Sequence, residues 1–157
     1  MLPPKAGLPY AERAKELYEE IIIEEPSFVE ASVRIGTLIF TINPLKGLPP
    51  IEGRDILEKV IQEYPQNAEA RRNLGLLTYR ISGADPSKLK KAIALLKSSI
   101  EIEPDVKALS VLIDIHISLK QKSNVELYLE QLESQVDSND KFFQDFIETK
   151  KIQLKNL

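Results

Sequence analysis

The sequence predicts an all-α solenoid of about eight helices, folded as antiparallel hairpins and stacked in series. Three observations carry that expectation. Pro26, Pro65 and Pro104 stand 39 residues apart, each closing an apolar-striped run. The same step relates Ala14, Gly53 and Ala92, then Tyr18, Leu57 and Leu96, then Ile22, Ile61 and Ile100 on the runs before the prolines, and Ile35, Leu74 and Ile113 after them. A period in the range of roughly 20 to 50 residues marks supersecondary units that cannot bury their apolar faces alone and therefore stack. Finally, no segment alternates apolar and polar residues with a period of two over a useful length, so strands are not expected.

Each helix has its own justification. Pro, Gly and Asn punctuation, which interrupts backbone hydrogen bonding or supplies special dihedrals, divides the chain into 10–24, 27–42, 53–64, 67–81, 87–103, 105–120, 124–136 and 140–155. The first carries Ala14, Tyr18 and Ile22 at helical spacing and stops short of Pro26. In the second, a turn of about 100° per residue places Ala31, Ile35, Leu38 and Ile42 on one side and Val33, Thr37 and Phe40 on the other. The third and fourth repeat this pattern through Gly53, Leu57 and Val60 and through Ala70, Leu74 and Gly75. Asp85-Pro86-Ser87 puts a proline and polar caps at the start of the fifth, and Asn124 can cap the seventh. The sixth is apolar almost all round, which requires cover on a second face. The eighth presents Phe142, Phe143, Phe146 and Ile147 on one side, with Lys150, Lys151 and Lys155 near its end. The organisation expected is an N-terminal extension over 1–9, helical repeats over 10–137 and a capping helix over 138–157.

These residues resemble the tetratricopeptide repeat. Ala14, Tyr18, Ile21, Pro26, Ile35 and Gly36 fit its pattern, as do Gly53, Leu57, Val60, Pro65, Leu74 and Gly75. Ala92, Leu96, Ser99, Pro104 and Ile113 continue it until Asp114 stands at the glycine's place. The resemblance implies a right-handed superhelix of hairpins that binds another protein. The family repeat is typically about 34 residues, so about five residues are added to each of the first two units, placed in the loops 43–50 and 82–86. Those loops are either tolerated length or a second binding edge on one side of the solenoid. The first helix matches the second helix of a family hairpin.

Composition narrows the function classes. Cysteine is absent, which removes disulfides, thiolate catalysis and cysteine-held zinc. The net charge of −3 is mild and gives no basic surface for nucleic acid. Apolar runs such as 21–23 and 111–113 fall far below the roughly 20 residues of a membrane span. The first residues lack the apolar core of a secretion signal, so the cytoplasm is the default expectation. His116 is the only histidine and reads as a packing residue. The acidic cluster Glu19, Glu20, Glu24 and Glu25 lacks the spacing of a calcium loop. With neither a nucleophile beside a base nor a phosphate-binding glycine loop, no enzyme, cofactor or metal is expected.

By the resemblance, the face carrying Val33, Thr37 and Phe40 lines a concave groove. Its equivalents by the 39-residue step are Arg72, Leu76 and Tyr79, then Val111, Ile115 and Ser118, with Thr41 and Arg80 flanking. This strip suits an extended segment or an amphipathic helix of a partner protein, with Arg72 and Arg80 available to its carboxylates. The clamp by which some family members grip C-terminal carboxylates is not matched: Asn73 fits, but Val33, Thr37, Ala108 and Leu112 stand where its other polar residues belong. The alternatives are a self-assembling subunit, a homodimer in which the first helix and the phenylalanines of the last, Phe142, Phe143 and Phe146, complete each other between chains, or an accessory tetratricopeptide domain of a larger assembly.

Overall fold

A computed structural model describes residues 7–83 and 85–157. The proposed extension over 1–9 falls mostly outside the described residues, as does Ala84 of the second insertion loop. Among the described residues eight helices follow one another: α1 (Leu8–Glu24), α2 (Val29–Leu45), α3 (Ile51–Glu63), α4 (Ala68–Arg80), α5 (Pro86–Ile102), α6 (Val106–Ser118), α7 (Lys122–Gln135) and α8 (Lys141–Lys155). No strand occurs among the described residues. α1 starts two residues earlier than its stripe predicts, because Pro9 in the first turn lacks only an N–H that the helix does not use. Part of the added length becomes helix rather than loop. α2 runs through Pro44 to Leu45, and α5 begins at Pro86, so each is 17 residues long where α4 and α6 are 13.

Polar side chains fix several helix starts by accepting an otherwise orphaned backbone N–H. Asn67 accepts from Ala70, Asp105 from Ala108 and Asp140 from Phe143, while Asp85 accepts from Ser87 and Lys88. Left-handed residues follow α2, α4 and α6 at Gly47, Gly83 and Lys120, with φ of 75°, 51° and 55°. At α2 and α6 the turn closes with the same pair of backbone bonds: Gly47 to Pro44 and Leu48 to Asn43, then Lys120 to Ile117 and Gln121 to His116.

Packing divides the helices into two layers. α2 pairs with α3, α4 with α5 and α6 with α7 as hairpins. α2 also packs on α4, α4 on α6 and α6 on α8, whereas the backbones of α1, α3, α5 and α7 stay apart among the described residues, α3 and α5 being bridged by the Glu58–Lys91 ion pair at 2.5 Å. One layer is therefore continuous and the other splayed, so the solenoid curves with α2, α4, α6 and α8 on its inner side. The core follows both: one buried cluster holds Val33, Phe40, Leu57, Val60, Ala70, Leu74 and Leu77, and a second holds Leu96, Leu109, Leu112, Ile113, Val125, Leu129 and Leu132 with Ile147.

The eighth residue of each inner helix governs how closely its hairpin closes. In α2 and α4 it is Gly36 and Gly75. A Cβ on either would stand 2.9 Å from the Cγ of Leu57 or Leu96. Gly53 of α3 is more tightly held still, since a Cβ there would lie 2.3 Å from the Phe40 nitrogen and 2.5 Å from the Gly36 oxygen. Backbone meets backbone at this crossing, and only glycine fits.

The third hairpin departs from the 39-residue step. Asn67 and Asp105, which cap α4 and α6 identically, are 38 residues apart, because the turn after α5 is one residue shorter than the Tyr64-Pro65-Gln66-Asn67 turn. The eighth residue of α6 is consequently Ile113, not Asp114. Ile113 and Val125 of α7 are both buried in the second cluster, two large side chains at the places that Gly36 and Gly53 hold in the first hairpin and Gly75 and Ala92 in the second. α8 then covers the end of the solenoid: Ile147 is buried, Phe143, Phe146 and Leu154 pack on the second cluster, and Lys150 bonds Asp114 of α6 at 2.8 Å.

Candidate protein-binding groove

The inner layer is lined at its centre by a concavity of about 360 Å3 between α2, α4 and α6. Its wall on α2 is Thr37 and Thr41, its floor and far wall on α4 are Asn73, Leu76, Leu77, Tyr79 and Arg80, and α6 contributes Val111. A smaller hollow of about 180 Å3 continues it past Arg80 along Phe40, Pro44 and Leu45.

Hydrogen bonds within the wall leave it less polar than its composition suggests. The Thr37 hydroxyl donates to the Val33 carbonyl at 2.8 Å and accepts from the Asn73 amide at 3.1 Å, and Thr41 donates to the Thr37 carbonyl at 2.8 Å. With both hydroxyls turned back on the helix, the threonines offer methyl groups to the hollow. Tyr79 is half-buried, and burial, reinforced by nearby Asp114, pushes its phenol above the ordinary range. Tyr79 therefore stays neutral, an apolar ring with one hydrogen-bonding tip. Arg80 is exposed at the mouth and forms no ion pair among the described residues.

Of the eleven residues expected on the groove face or flanking it, six come together here: Thr37, Thr41, Leu76, Tyr79, Arg80 and Val111. Val33, Phe40, Arg72, Ile115 and Ser118 do not. Val33 and Phe40 are buried in the core, because the glycine crossing draws α3 against that side of α2 and consumes it. Ile115 is fully buried for a different reason: the short turn before α6 rotates that helix by one residue, so Ile115 takes the place of buried Leu77 rather than of Leu76. Arg72 is already engaged, at 2.9 Å from Asp105 and 3.5 Å from Glu69. Leu77 and Asn73 were not expected to line the hollow. The signal that would have placed α6 correctly is the pair of caps, Asn67 with Ala70 and Asp105 with Ala108.

Of the phenylalanines proposed for self-association, Phe143 and Phe146 are used within the chain against the second cluster, with Lys150 over the Phe146 ring. Phe142 alone stays exposed, its ring edge-on to Phe143. A larger open hollow of about 640 Å3 lies beside the first insertion loop, between Leu48, Pro49, Ile51 and Ile56. The loop thus builds a surface of its own.

His116 is buried and stacked on Tyr128, with ring centroids 5.4 Å apart. Its Nδ1–H donates to the Gln121 Oε1 at 2.5 Å, and Asn124 donates to that same oxygen. Nε2 is buried without a partner among the described residues. Burial holds the imidazole below its ordinary pKa, against the smaller opposing effect of Gln121. No group of three His, Asp or Glu side chains placed to hold a metal occurs among the described residues, and no helix there is long and apolar enough to cross a membrane.

The sequence matches no known protein-family model and no curated protein. Solved structures do match. The crystal structure of MamA superposes with a TM-score of 0.64 over 99% of this chain and 94% of that one, at 16% identity. The fold is similar to that of MamA. MamA 41-end from Desulfovibrio magneticus RS-1 gives 0.54 at 24% identity over 85% of this chain and 72% of that one. The MamA RS-1 ArsTM double mutant gives 0.59 at 21% over 82% and 67%. At these identities the likeness concerns architecture: an all-α, right-handed superhelix of antiparallel hairpins of the tetratricopeptide type.

Proposed function

We propose that the chain is a non-catalytic protein-interaction module of the tetratricopeptide kind, and that the hollow between α2, α4 and α6 holds a segment of a partner protein. The division into repeats over 10–137 and a terminal helix over 138–157 belongs to the same reading. One observation carries it: an apolar concavity with methyl-lined walls, a neutral tyrosine at its side and an exposed arginine at its mouth. Fold alone would not support a function. A helix laying Leu or Ile into the hollow gains burial of roughly 25 cal/mol per Å2, while a flanking carboxylate meets Arg80. The partner segment is thus amphipathic and carries acidic residues beside its apolar anchors.

Labelled short peptides of that design, with serine-for-leucine versions as controls, test the reading by fluorescence anisotropy. The informative variant is Leu76→Glu with Val111→Glu, since both residues are only partly buried and neither substitution enters the core. Binding of the leucine peptide and its loss in a folded double variant support the groove. Unchanged binding in that variant removes it.

A further inference from the structure

α1 is unlike the other outer helices. Eleven residues before the C-cap, α3, α5 and α7 place Gly53, Ala92 and Val125 against the inner helix of their own hairpin, followed by Leu57, Leu96 and Leu129, all buried. The matching residues of α1 are Ala14 and Tyr18, and no residue of α1 is buried. Nothing among the described residues occupies the inner-helix position on that side. A stripe of Tyr10, Ala14, Leu17 and Ile21 is left facing outward, with Tyr10 75% and Leu17 44% exposed. α8 is the reciprocal case. Its cap, its buried Ile147 and its place against α6 and α7 make it an inner helix, and the side on which an outer helix would pair is open. Ile152, twelfth in its helix like Phe40 of α2, is 57% exposed.

We propose that α8 of one copy fills the inner-helix position on α1 of a second copy, completing a hairpin between chains and extending the solenoid head to tail. Charge favours this occupant over a second α1. Lys141 stands at the first position of α8, where Val29 stands in α2, and Val29 packs beside Val60 and Tyr64. The residues of α1 that match Val60 and Tyr64 are Ile21 and Glu25, so Lys141 of one copy meets Glu24 and Glu25 of the next. These groups form no ion pair within the chain among the described residues. Each also opposes its own helix dipole, a lysine at an N-terminus and glutamates at a C-terminus, and the contact between copies relieves both. Two α1 helices facing each other would gain no such lysine. Glu148 occupies the place of Gly36, but Ile113 fills the same place in the third hairpin, and that hairpin closes. The contact joins different surfaces, so it propagates from copy to copy unless the rotation closes a ring.

Because the chain has no cysteine, engineered thiols report the contact directly. Ala14 and Ile152 match Gly53 and Phe40, which touch across the first hairpin. Ala14→Cys and Ile152→Cys chains, mixed and mildly oxidised, are expected to form a mixed disulfide dimer, while Leu17→Cys chains alone stay monomeric on a denaturing gel. Sedimentation of the unmodified 157-residue chain should show mass rising with concentration. Lys141→Glu should shift that rise to higher concentration, and Glu24→Lys with Glu25→Lys in the same chain should restore it. A disulfide between two Leu17→Cys chains, a mass independent of concentration, or a charge swap without rescue each overturns the proposal. None of these outcomes bears on the groove, whose residues lie on another face.

Discussion

The first and third hairpins solve the same packing problem with opposite materials. α2 and α3 cross through Gly36 and Gly53, backbone against backbone, whereas α6 and α7 carry buried Ile113 and Val125 at the equivalent places. A glycine crossing consumes the flanking side chains: Val33 and Phe40, which a helical wheel assigns to the groove, are pulled into the core. The bulky crossing comes with a three-residue connection, 119–121, and with a turn before α6 that has lost one residue. Close approach at one end and side-chain filling at the other thus decide which residues face the groove.

The largest effect expected from breaking this comparison is at Gly53. Gly53→Ala puts a methyl carbon against the backbone of Phe40 and Gly36, neither of which can rotate away. A loss of about 3 kcal/mol in chemical denaturation is expected, at the upper end of overpacking costs. Ala92 already carries that methyl in the second hairpin. Val125→Ala should instead cost about 2 kcal/mol through a cavity, its sign shared but its cause reversed. If Gly53→Ala is as stable as the parent, the first crossing is not the close contact described.

The next effect is smaller and of opposite sign. Gly47 and Lys120 close their turns with the same backbone bonds in the same left-handed conformation, which costs a side-chain-bearing residue about 1 kcal/mol. Lys120→Gly should therefore stabilise by up to about 1 kcal/mol, and Gly47→Lys should destabilise by a similar amount. A destabilised Lys120→Gly chain would show that the lysine side chain contributes more than its backbone costs.

Much of the fold was legible because its determinants are local. The prolines at 26, 65 and 104 and the apolar stripes located all eight helices, since each helix must end where a proline or glycine stops it. The lining of the inner-layer hollow was legible only in part. Thr37 and Leu76 are one 39-residue step apart, as are Thr41 and Arg80, and they lie together with Tyr79, while Val111 joins them across the break. Ile115 was misplaced because one residue is missing from a turn, which a count from proline to proline does not register. Val33 and Phe40 were misplaced because the depth of a glycine crossing is a tertiary fact.

The pH dependence is the smallest effect expected. His116 is buried and neutral, with its pKa below the ordinary value near 6.5. A group depressed in this way favours the folded state fully above the unfolded pKa, and that advantage declines as pH falls below it toward the folded value. Because His116 is the only histidine, its ring resonances titrate without overlap. A measured pKa below 6.5, with stability declining as acid is added through that range, is expected. An elevated pKa would mean that Nε2 has a partner and that the stack on Tyr128 is arranged differently.

The groove itself is tested most directly by an amide chemical-shift titration with the acidic amphipathic peptide. The largest shifts should fall on Thr37, Asn73, Leu76, Tyr79 and Val111, with the residues beside the insertion loop, Leu48, Ile51 and Ile56, unmoved. Shifts confined to Leu48, Ile51 and Ile56 would move the binding surface to the loop edge and contradict the inner-layer site.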